Sequence, residues 1–268
     1  MVQLAEARGM MLLAAEGLVK RFGGVLAAKD VSFALEAGEM LAIIGPNGAG
    51  KSTTFNMVGG QLKPDAGRVT LAGQDITGIP PRAVCRLGVG RTFQVAQTFL
   101  SFTVLGNVQM ALIAHHGETR RLLVDAAALH RDDALVLLDR VGMAAQAQRP
   151  IGELAYGDVK RVELAIALAA APRLLLMDEP TAGMAPAERT ALMALVAGIA
   201  REQRIGVLFT EHDMDAVFAH ADRILVLVRG EIIARGSPDE VRADPEVQRV
   251  YLGHSGTRAA ARAQRTHV

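Results

Sequence analysis

The sequence has a single cysteine, no tryptophan and no long uncharged apolar run. With Cys85 alone, an internal disulfide and a metal cluster built on cysteine thiolates are excluded, and a reducing cytoplasm is the simplest compartment. The most apolar stretch, residues 162–176, contains Glu163 and Arg173, whereas a membrane-spanning helix needs about 20 nearly uncharged residues. We therefore expect a chain that does not cross a membrane by itself.

An excess of charge of one sign is also absent. The 29 basic and 28 acidic side chains leave a net charge of +1, so the chain has no overall positive field that would attract the phosphates of a nucleic acid. Half of the 268 residues are apolar, which is typical of a globular protein with a sizeable core. The composition thus indicates a globular protein and argues against nucleic acid as a partner.

Seven short apolar segments predict the strands of an α/β fold. They lie at 12–22, 31–35, 40–44, 69–71, 174–177, 205–209 and 224–228. A helix expected at 186–201 joins two of these segments, which makes them parallel neighbours. Arg229-Gly230 indicates the turn of a hairpin whose second strand is 231–234, and residues 65–67 indicate a turn before the strand at 69–71.

The middle of the chain changes to helix-forming residues. From about residue 95 to residue 170, alanine, leucine and charged residues recur at helical spacing. This pattern predicts a helical subdomain inserted into the α/β core. Within it, residues 120–141 are predicted to form one long amphipathic helix that Gly142 ends.

Two start signals for helices follow the hairpin. Residues 237–240 have the spacing of a capping box, with proline at the first helical position, and residues 244–246 predict a final helix that ends near Leu252. Residues 1–9 are predicted to be a disordered leader and residues 253–268 a disordered basic tail. The predicted domain therefore spans residues 10–252.

A glycine-rich loop after the strand at 40–44 is the most informative motif. It fits the strand, G-x-x-x-x-G-K-[ST], helix template, with a helix expected at 51–58. Its backbone N–H groups and the start of the helix suit phosphate oxygens, so a turn that merely packs a helix on a sheet is the weaker interpretation. The motif predicts a nucleoside triphosphate, bound by Gly45, Pro46, Asn47, Gly48, Ala49, Gly50, Lys51, Ser52 and Thr53.

Two carboxylates follow the buried strand at 174–177. Asp178 and Glu179 are expected at the carboxyl edge of the sheet, where ligands bind in open α/β folds. Asp178 is suited to hold Mg²⁺ together with the Ser52 hydroxyl, and Glu179 is suited to polarise an attacking water. Lys51 adds positive charge near the β- and γ-phosphates.

Three further motifs complete an ordered set along the chain. They are Arg91-Thr92-Phe93-Gln94, Leu154-Ala155-Tyr156-Gly157-Asp158 and Glu211-His212-Asp213. With these motifs, residues 12–252 resemble the ATP-binding subunits of ABC transporters. The resemblance implies a P-loop ATPase core with a mixed sheet, an antiparallel β part and an inserted helical subdomain. It also implies ATP and Mg²⁺ as cofactors, and a head-to-tail dimer that buries two ATP molecules.

The resemblance implies a role for each matching residue. Gln94 would contact Mg²⁺ or the attacking water and couple to membrane permease subunits, and His212 would contact the γ-phosphate. Gly157 would face the γ-phosphate bound by the second ATP-binding subunit. Phe22 would stack on adenine, although an ordinary aromatic residue at a strand end explains it as well. The implied catalytic residues are then Glu179, His212, Gln94 and Lys51, and the implied metal ligands are Ser52, Gln94 and Asp178.

Several motifs are similar to those of branched-chain amino acid importers. These are the segments at 21–24, 91–94, 154–158, 211–214 and 251–253. The resemblance implies the larger of two ATPase subunits at the cytoplasmic face of a bacterial inner membrane. Its partners would be membrane permease subunits, a second ATP-binding subunit and, indirectly, a periplasmic solute-binding protein. Importers of urea and short amides have similar ATPases and remain an alternative.

The signature segment departs from the general ABC pattern. Ala155 stands where many relatives have serine, Tyr156 replaces a glycine and Asp158 replaces a glutamine. Ala185 stands where many relatives have an aspartate that signals across the dimer. A carboxylate suits a helix N-terminus but repels a nearby phosphate. We therefore expect this signature to build the weaker of the two ATP sites.

Two other functions compete with transport. One is an ABC-type ATPase that acts on nucleic acid or ribosomes, which commonly carries two ATPase units or long coiled-coil insertions. The other is a regulatory nucleotide-binding module without turnover, which the intact residues Asp178, Glu179 and His212 argue against.

Overall fold

The computed structural model describes residues 11–94, 96–118 and 128–250, whose strands form two sheets. An antiparallel sheet of order β2-β1-β4-β5 contains β1 (Met11–Phe22), β2 (Val25–Glu36), β4 (Ala66–Leu71) and β5 (Gln74–Asp75). A mixed sheet of order β10-β9-β3-β8-β7-β6 contains β3 (Met40–Ile44), β6 (Val89–Thr92), β7 (Leu174–Asp178), β8 (Gly206–Thr210), β9 (Arg223–Val228) and β10 (Glu231–Gly236). Within the mixed sheet β9 and β10 pair antiparallel, and the other pairs are parallel.

The helices lie between and around these strands. They are α1 (Lys51–Val58), α2 (Pro81–Arg86), α3 (Val104–His115), α4 (Arg131–Arg140), α5 (Tyr156–Leu168), α6 (Pro186–Gln203), α7 (Met214–His220) and α8 (Pro238–Ala243). Short 3₁₀ helices lie at Ala144–Gln146 and Ile151–Glu153. No helix among the described residues is long and apolar enough to cross a membrane.

The central strand β3 separates two hydrophobic cores. All five of its side chains are buried, and they alternate between the two faces of the mixed sheet. Leu41 and Ile43 pack with Phe55 of α1 and with the antiparallel sheet. Ala42 and Ile44 pack in the other core, with residues of α5 and α6. Burial of β3 on both faces fixes the point at which the chain leaves the sheet to form the glycine-rich loop.

The strand order also positions a ligand crevice. β3 lies between β8 and β9, two strands that are consecutive in the chain and lie on opposite sides of it. In open α/β sheets ligands bind beyond the carboxyl ends of strands at such a switch point. The carboxyl ends of β3, β7 and β8 therefore face one common region, and the predicted phosphate loop and paired carboxylates both lie there.

Several predicted elements are confirmed. β3 and α1 have the predicted bounds, the hairpin of β9 and β10 is present, and Ser237 caps α8 with Glu240 in a capping box. Residues 245–250 are helical, as predicted, whereas the expected end near Leu252 lies outside the described residues. The predicted leader and tail lie outside them as well.

Other predicted bounds are wrong. β2 begins at Val25 and not at residue 31, because the hairpin with β1 continues to the Phe22–Val25 pair. Ala66 and Gly67 belong to β4 and not to a turn, since they extend the pairing of β4 along β1. Four short elements were not predicted from the sequence: β5, α2, β6 and α7.

The single long helix predicted at 120–141 is also wrong. Helix α4 begins at Arg131, and residues 128–130 form a turn. His130 has a φ of 51°, a left-handed conformation that a helix interior does not accommodate. Its ring lies 2.8 Å from Glu118 and 3.3 Å from Asp133, so local polar contacts stabilise the break. The part of the prediction that covers residues 120–127 lies outside the described residues.

This break is expected to make stability depend on pH. The hydrogen bond to Glu118, and next that to Asp133, raises the pKa of His130 above its ordinary value. A raised folded-state pKa contributes stability that is fully present below the unfolded pKa of about 6.5 and is lost as pH rises through the folded-state pKa. We expect His130→Gln to lower the melting temperature more at pH 6 than at pH 9. An equal decrease at both pH values in thermal denaturation would contradict this assignment.

Candidate nucleotide site

The glycine-rich loop is shaped by two close backbone approaches. A side chain at Gly45, whose φ is 154°, would place Cβ 2.1 Å from the carbonyl oxygen of Leu227 in β9. At Gly50, whose φ is 102°, it would place Cβ 2.3 Å from the carbonyl oxygen of Ala27 in β2. Glycine is therefore required at both positions. Gly50 is also the N-cap of α1, so the first N–H groups of that helix have no intrahelical acceptor and suit an anion.

The loop encloses a cavity of about 290 Å³. Asn47 to Thr53 line one side of it, and Glu179, His212 and Ala27 line the rest. The loop residues Gly48 and Ser52 thus face the same space as the side chains that follow β7 and β8. The cavity combines backbone donors with one carboxylate and one imidazole, which suits a phosphate group and a reacting water.

Lys51 lies folded across the loop at the base of this cavity. Its Nζ donates to the carbonyl oxygen of Gly45 at 2.7 Å and to that of Pro46 at 3.3 Å, and the residue is 6% exposed. Burial lowers the pKa of Lys51, while the nearby carboxylates of Glu179 and Asp178 act in the opposite direction. Lys51 is thus a buried cation whose charge is stabilised by the two predicted catalytic-site carboxylates.

Asp178 ends β7 and is held by the neighbouring strand. The Thr210 hydroxyl at the end of β8 donates to Asp178 Oδ1 at 2.8 Å. Arg91 of β6 lies 3.9 Å from Asp178 Oδ2. The rings of Phe55 and Phe93 flank the Arg91 guanidinium, at 4.9 and 5.1 Å from their centroids. These contacts orient the carboxylate at the edge of the sheet and leave it partly exposed.

Glu179 is the centre of the site. It has a φ of 47°, an unusual conformation for a residue other than glycine and one that occurs often at functional sites. Its backbone N–H donates to the carbonyl oxygen of Thr210, which anchors the strained turn. The amide of Gln94 donates to Glu179 Oε2 at 2.8 Å, and His212 Nε2 lies 2.8 Å from Oε1. Three residues far apart in the chain thus meet at one carboxylate.

Buried polar contacts hold the loops that carry Glu179 and His212. Glu211 Oε1 accepts from the backbone N–H and the hydroxyl of Thr181, at 2.8 and 2.6 Å, and Oε2 accepts from the His212 N–H at 3.2 Å. Arg189 of α6 pairs with Asp213 at 2.6 Å, and this hydrogen bond lowers the pKa of Asp213. Asp213 in turn caps α7. The segment after β7 is therefore tied to the segment after β8 in two places.

The predicted metal ligands carry oxygen atoms of the kinds that a magnesium ion binds. Ser52 lines the cavity, the Asp178 carboxylate is oriented by Thr210, and the Gln94 amide contacts Glu179 through its nitrogen. Hydroxyl, carboxylate and amide oxygens are ligands that Mg²⁺ accepts, with further positions left for water and phosphate. The donor set is therefore compatible with the predicted metal ligands.

Phe22 and Gly157 lie elsewhere among the described residues. Phe22 is half exposed at the end of β1, while Ala27, from the next strand of the same hairpin, lines the cavity. Gly157 is the second residue of α5, after the N-cap Ala155. Within one chain the structure thus brings together the loop, Glu179, Gln94 and His212, but not Phe22 or Gly157.

Sequence reasoning assigned no role to the residues that orient this site. They are Thr210, Thr181, Glu211, Arg189, Asp213, Lys160 and Glu163. Thr210 and Glu211 directly precede His212 at the end of a predicted strand, a position that could have indicated a role. Charged residues inside the apolar pattern of α5 were a second signal, since buried charges are paired.

The comparisons with known proteins identify the family. The family model for ABC transporters matches residues 28–182. The family model for the branched-chain amino acid ATP-binding cassette transporter matches residues 231–257. The chain is 39% identical over 254 residues to the high-affinity branched-chain amino acid transport ATP-binding protein LivG of Salmonella typhimurium, covering 91% of this chain and 98% of LivG.

Solved structures give the same result. An ATP-binding cassette of an ABC transporter in its ADP conformation has a TM-score of 0.82 and 33% identity, covering 91% of this chain and 99% of that one. A dimeric ATP-binding cassette bound to ADP and phosphate has a TM-score of 0.72 and 26% identity, covering 85% and 99%. The predicted α/β fold with its mixed and antiparallel sheets is confirmed, and the chain belongs to the family of ABC transporter ATP-binding proteins.

Proposed function

We propose that this chain is the ATP-hydrolysing subunit of an ABC importer that takes up branched-chain amino acids. The observation that carries the catalytic part is the Glu179 carboxylate, held by Gln94 and His212 in the cavity of the phosphate loop. The substrate class rests on the likeness of the chain to LivG and on the match of residues 231–257. An importer of urea or short amides, which has similar ATPases, is the alternative.

In this proposal the loop and α1 bind ATP. The backbone donors of residues 45–53 and the Lys51 ammonium bind the β- and γ-phosphates. Phe22 is proposed to stack on the adenine, since Ala27 of the same hairpin lines the cavity. Ser52, Asp178 and Gln94 would hold Mg²⁺, which supplies positive charge to the phosphate oxygens. Glu179 orients the attacking water and accepts its proton, while His212 contacts the γ-phosphate.

A second ATP-binding subunit completes each site in this proposal. Gly157 and the start of α5 do not line the cavity of their own chain, and Ala155 and Tyr156 beside the buried Gly157 are exposed, which suits contact with a nucleotide bound by the partner. The solved dimeric relative supports a dimer as the working form. With Ala155 at the N-cap and Asp158 in the first turn, this signature offers no hydroxyl and adds a negative charge. We propose that the site built with it is the weaker one.

A hydroxyl introduced into the signature is expected to increase ATP turnover. Ala155→Ser is expected to raise the ATP turnover of the complex with its partner subunit by about tenfold, because one hydrogen bond to a charged group is worth roughly 1.5 kcal/mol. Steady-state phosphate release measures this effect. Ala66→Ser, at an exposed position of β4, is the matched control. Unchanged turnover in Ala155→Ser would count against a weak signature.

The permease subunits are proposed to dock beside Gln94. A groove of about 520 Å³ lies between α2, β6, α3 and α5, and Val84, Ala111 and Ile166 contribute to its apolar lining. It is bordered by Phe93, next to Gln94. Phe99, Leu100 and Phe102 are exposed on the segment before α3. An apolar groove with exposed aromatic residues suits a segment of another protein, and its position would connect that segment to Glu179 through Gln94.

The proposed location is the cytoplasmic face of a bacterial inner membrane, with a periplasmic solute-binding protein as an indirect partner.

Purification of the tagged chain from gently solubilised cells distinguishes a transporter subunit from an ABC-type ATPase that acts on nucleic acid. Co-purification of two polytopic membrane subunits and a second ATP-binding subunit is the expected result. Recovery of the chain with nucleic acid and without membrane subunits would favour an ABC-type ATPase that acts on nucleic acid.

A further inference from the structure

Helix α5 carries two charged residues that are almost completely buried. The side chains of Lys160 and Glu163 are 1% and 4% exposed, and Lys160 Nζ lies 3.0 Å from Glu163 Oε2. They are three residues apart and therefore on one face of the helix. A buried ion pair contributes little net stability compared with apolar side chains of similar size. Hydrophobic packing does not by itself account for this pair.

The pair binds the backbone of the segment that contains Gln94. Lys160 Nζ donates to the carbonyl oxygen of Phe93 at 2.6 Å and to that of Gln94 at 3.0 Å. Glu163 Oε1 accepts from the N–H of Phe93 at 2.8 Å. All three donors of the Lys160 ammonium are thereby used, two on this backbone and one on Glu163. The Tyr156 hydroxyl donates to the Gln94 carbonyl oxygen as well, at 3.2 Å.

These contacts connect α5 to the Glu179 carboxylate through Gln94. The backbone of Gln94 is fixed by α5, and its side-chain amide donates to Glu179 Oε2 at 2.8 Å. Because the Gln94 amide is attached to this backbone, a shift of the backbone moves the amide relative to Glu179. The same helix begins at the signature residues, which in the proposed dimer face the nucleotide of the partner. A movement of α5 would thus be passed to Gln94 by directional hydrogen bonds.

We propose that Lys160 and Glu163 are positioning residues that couple the signature helix to Gln94 and so set the hydrogen bond between Gln94 and Glu179. The inference rests on the proposed ATPase function and assigns a task to two residues that do not touch the nucleotide. The pair positions the backbone of Phe93 and Gln94. An apolar pair would also pack α5 in the core, but it would make no hydrogen bonds to that backbone.

The first test removes one charge and keeps the shape. Glu163→Gln is expected to lower kcat for ATP hydrolysis in the assembled transporter by about tenfold, with KM for ATP unchanged within about twofold. In a Gln94→Ala background the same substitution is expected to change kcat by less than about twofold, because the residue through which it acts is absent. An unchanged kcat, or an equally large loss in the Gln94→Ala background, would overturn the inference.

A second variant separates position from stability. Lys160→Met combined with Glu163→Leu replaces the pair by apolar side chains of similar size, and it is expected to fold because no buried charge is left unpaired. It is also expected to lose kcat to the same extent as Glu163→Gln. Wild-type kcat in this double variant would overturn the inference even if Glu163→Gln fails to fold.

A matched control is available at another ion pair. Glu39 pairs with Arg223 at 2.8 Å, and its second oxygen accepts from the Glu36 N–H at 2.7 Å, away from the nucleotide cavity. Glu39→Gln is expected to leave kcat unchanged, alone and with Gln94→Ala. The two proposals also fail differently. A wild-type complex without ATPase activity overturns the proposed function and this inference together, whereas an active complex that Glu163→Gln does not affect overturns this inference alone.

Discussion

Glu179→Gln is expected to bind ATP with near wild-type affinity and to lower its turnover about 100-fold or more. The reason is that a positioned general base contributes roughly 10²–10⁴-fold to rate, and an amide cannot accept the proton of the attacking water. Gln keeps the size of the side chain and one acceptor oxygen, while the other of the two oxygens that Gln94 and His212 contact becomes an NH₂ donor. Nucleotide binding and single-turnover hydrolysis by the assembled complex measure the two properties separately.

The control for this experiment is an exposed glutamate on α6. Glu202→Gln makes the same chemical change outside the cavity and is expected to hydrolyse ATP at the wild-type rate. If Glu179→Gln also keeps wild-type turnover, Glu179 is not the base, and the cluster that it forms with Gln94 and His212 has another purpose.

Lys51→Ala is expected to lose ATP binding by about 10- to 100-fold. Its ammonium is the buried cation of the loop, and a hydrogen bond to a charged group is worth roughly 1.5–3 kcal/mol. The loss should be much smaller for adenosine, which has no phosphates for Lys51 to contact. Equilibrium binding of a fluorescent ATP analogue, with unlabelled adenosine as competitor, measures both effects.

Lys63→Ala removes an exposed lysine near β4 and serves as the matched variant. It is expected to bind ATP as the wild type does, because Lys63 lies outside the residues that line the cavity. Equal ATP affinity in Lys51→Ala and Lys63→Ala would contradict the role of the loop as the phosphate site.

The local parts of the fold and site could be predicted from the sequence. The segment from β3 through the loop to α1 has the predicted bounds, because a continuous apolar strand, fixed glycine positions and a helix start all lie within 20 residues. The hairpin of β9 and β10 was predictable for the same reason, since the turn Arg229-Gly230 separates two apolar runs. In both cases the information is local.

Elements that depend on distant contacts could not be predicted. β6 has only four residues, including Gly90 and Arg91, and its strand conformation is stabilised by pairing with β7, more than 80 residues later. The helix expected at 120–141 had suitable periodicity, but the contacts of His130 with Glu118 and Asp133 outweigh local helix propensity at that point.

The same distinction applies to the site. The sequence motifs predicted Gln94, Glu179 and His212 individually, and their meeting at one carboxylate needed the arrangement of β6, β7 and β8. The contacts that orient them, such as Thr181 with Glu211 and Lys160 with Gln94, join residues 30 and 66 positions apart. Periodicity within one segment carries no information about such pairs.

Uptake of radiolabelled leucine, by cells whose only copy of this chain carries Lys51→Ala, is the decisive measurement for a role in branched-chain amino acid import. Urea uptake is measured in parallel, and cells with Lys63→Ala are the control. Lys51→Ala cells are expected to lose leucine uptake and to keep normal urea uptake. Lys63→Ala cells are expected to take up leucine normally. Normal leucine uptake by cells with a verified ATPase-inactive Lys51→Ala protein would contradict the assignment to branched-chain amino acid import.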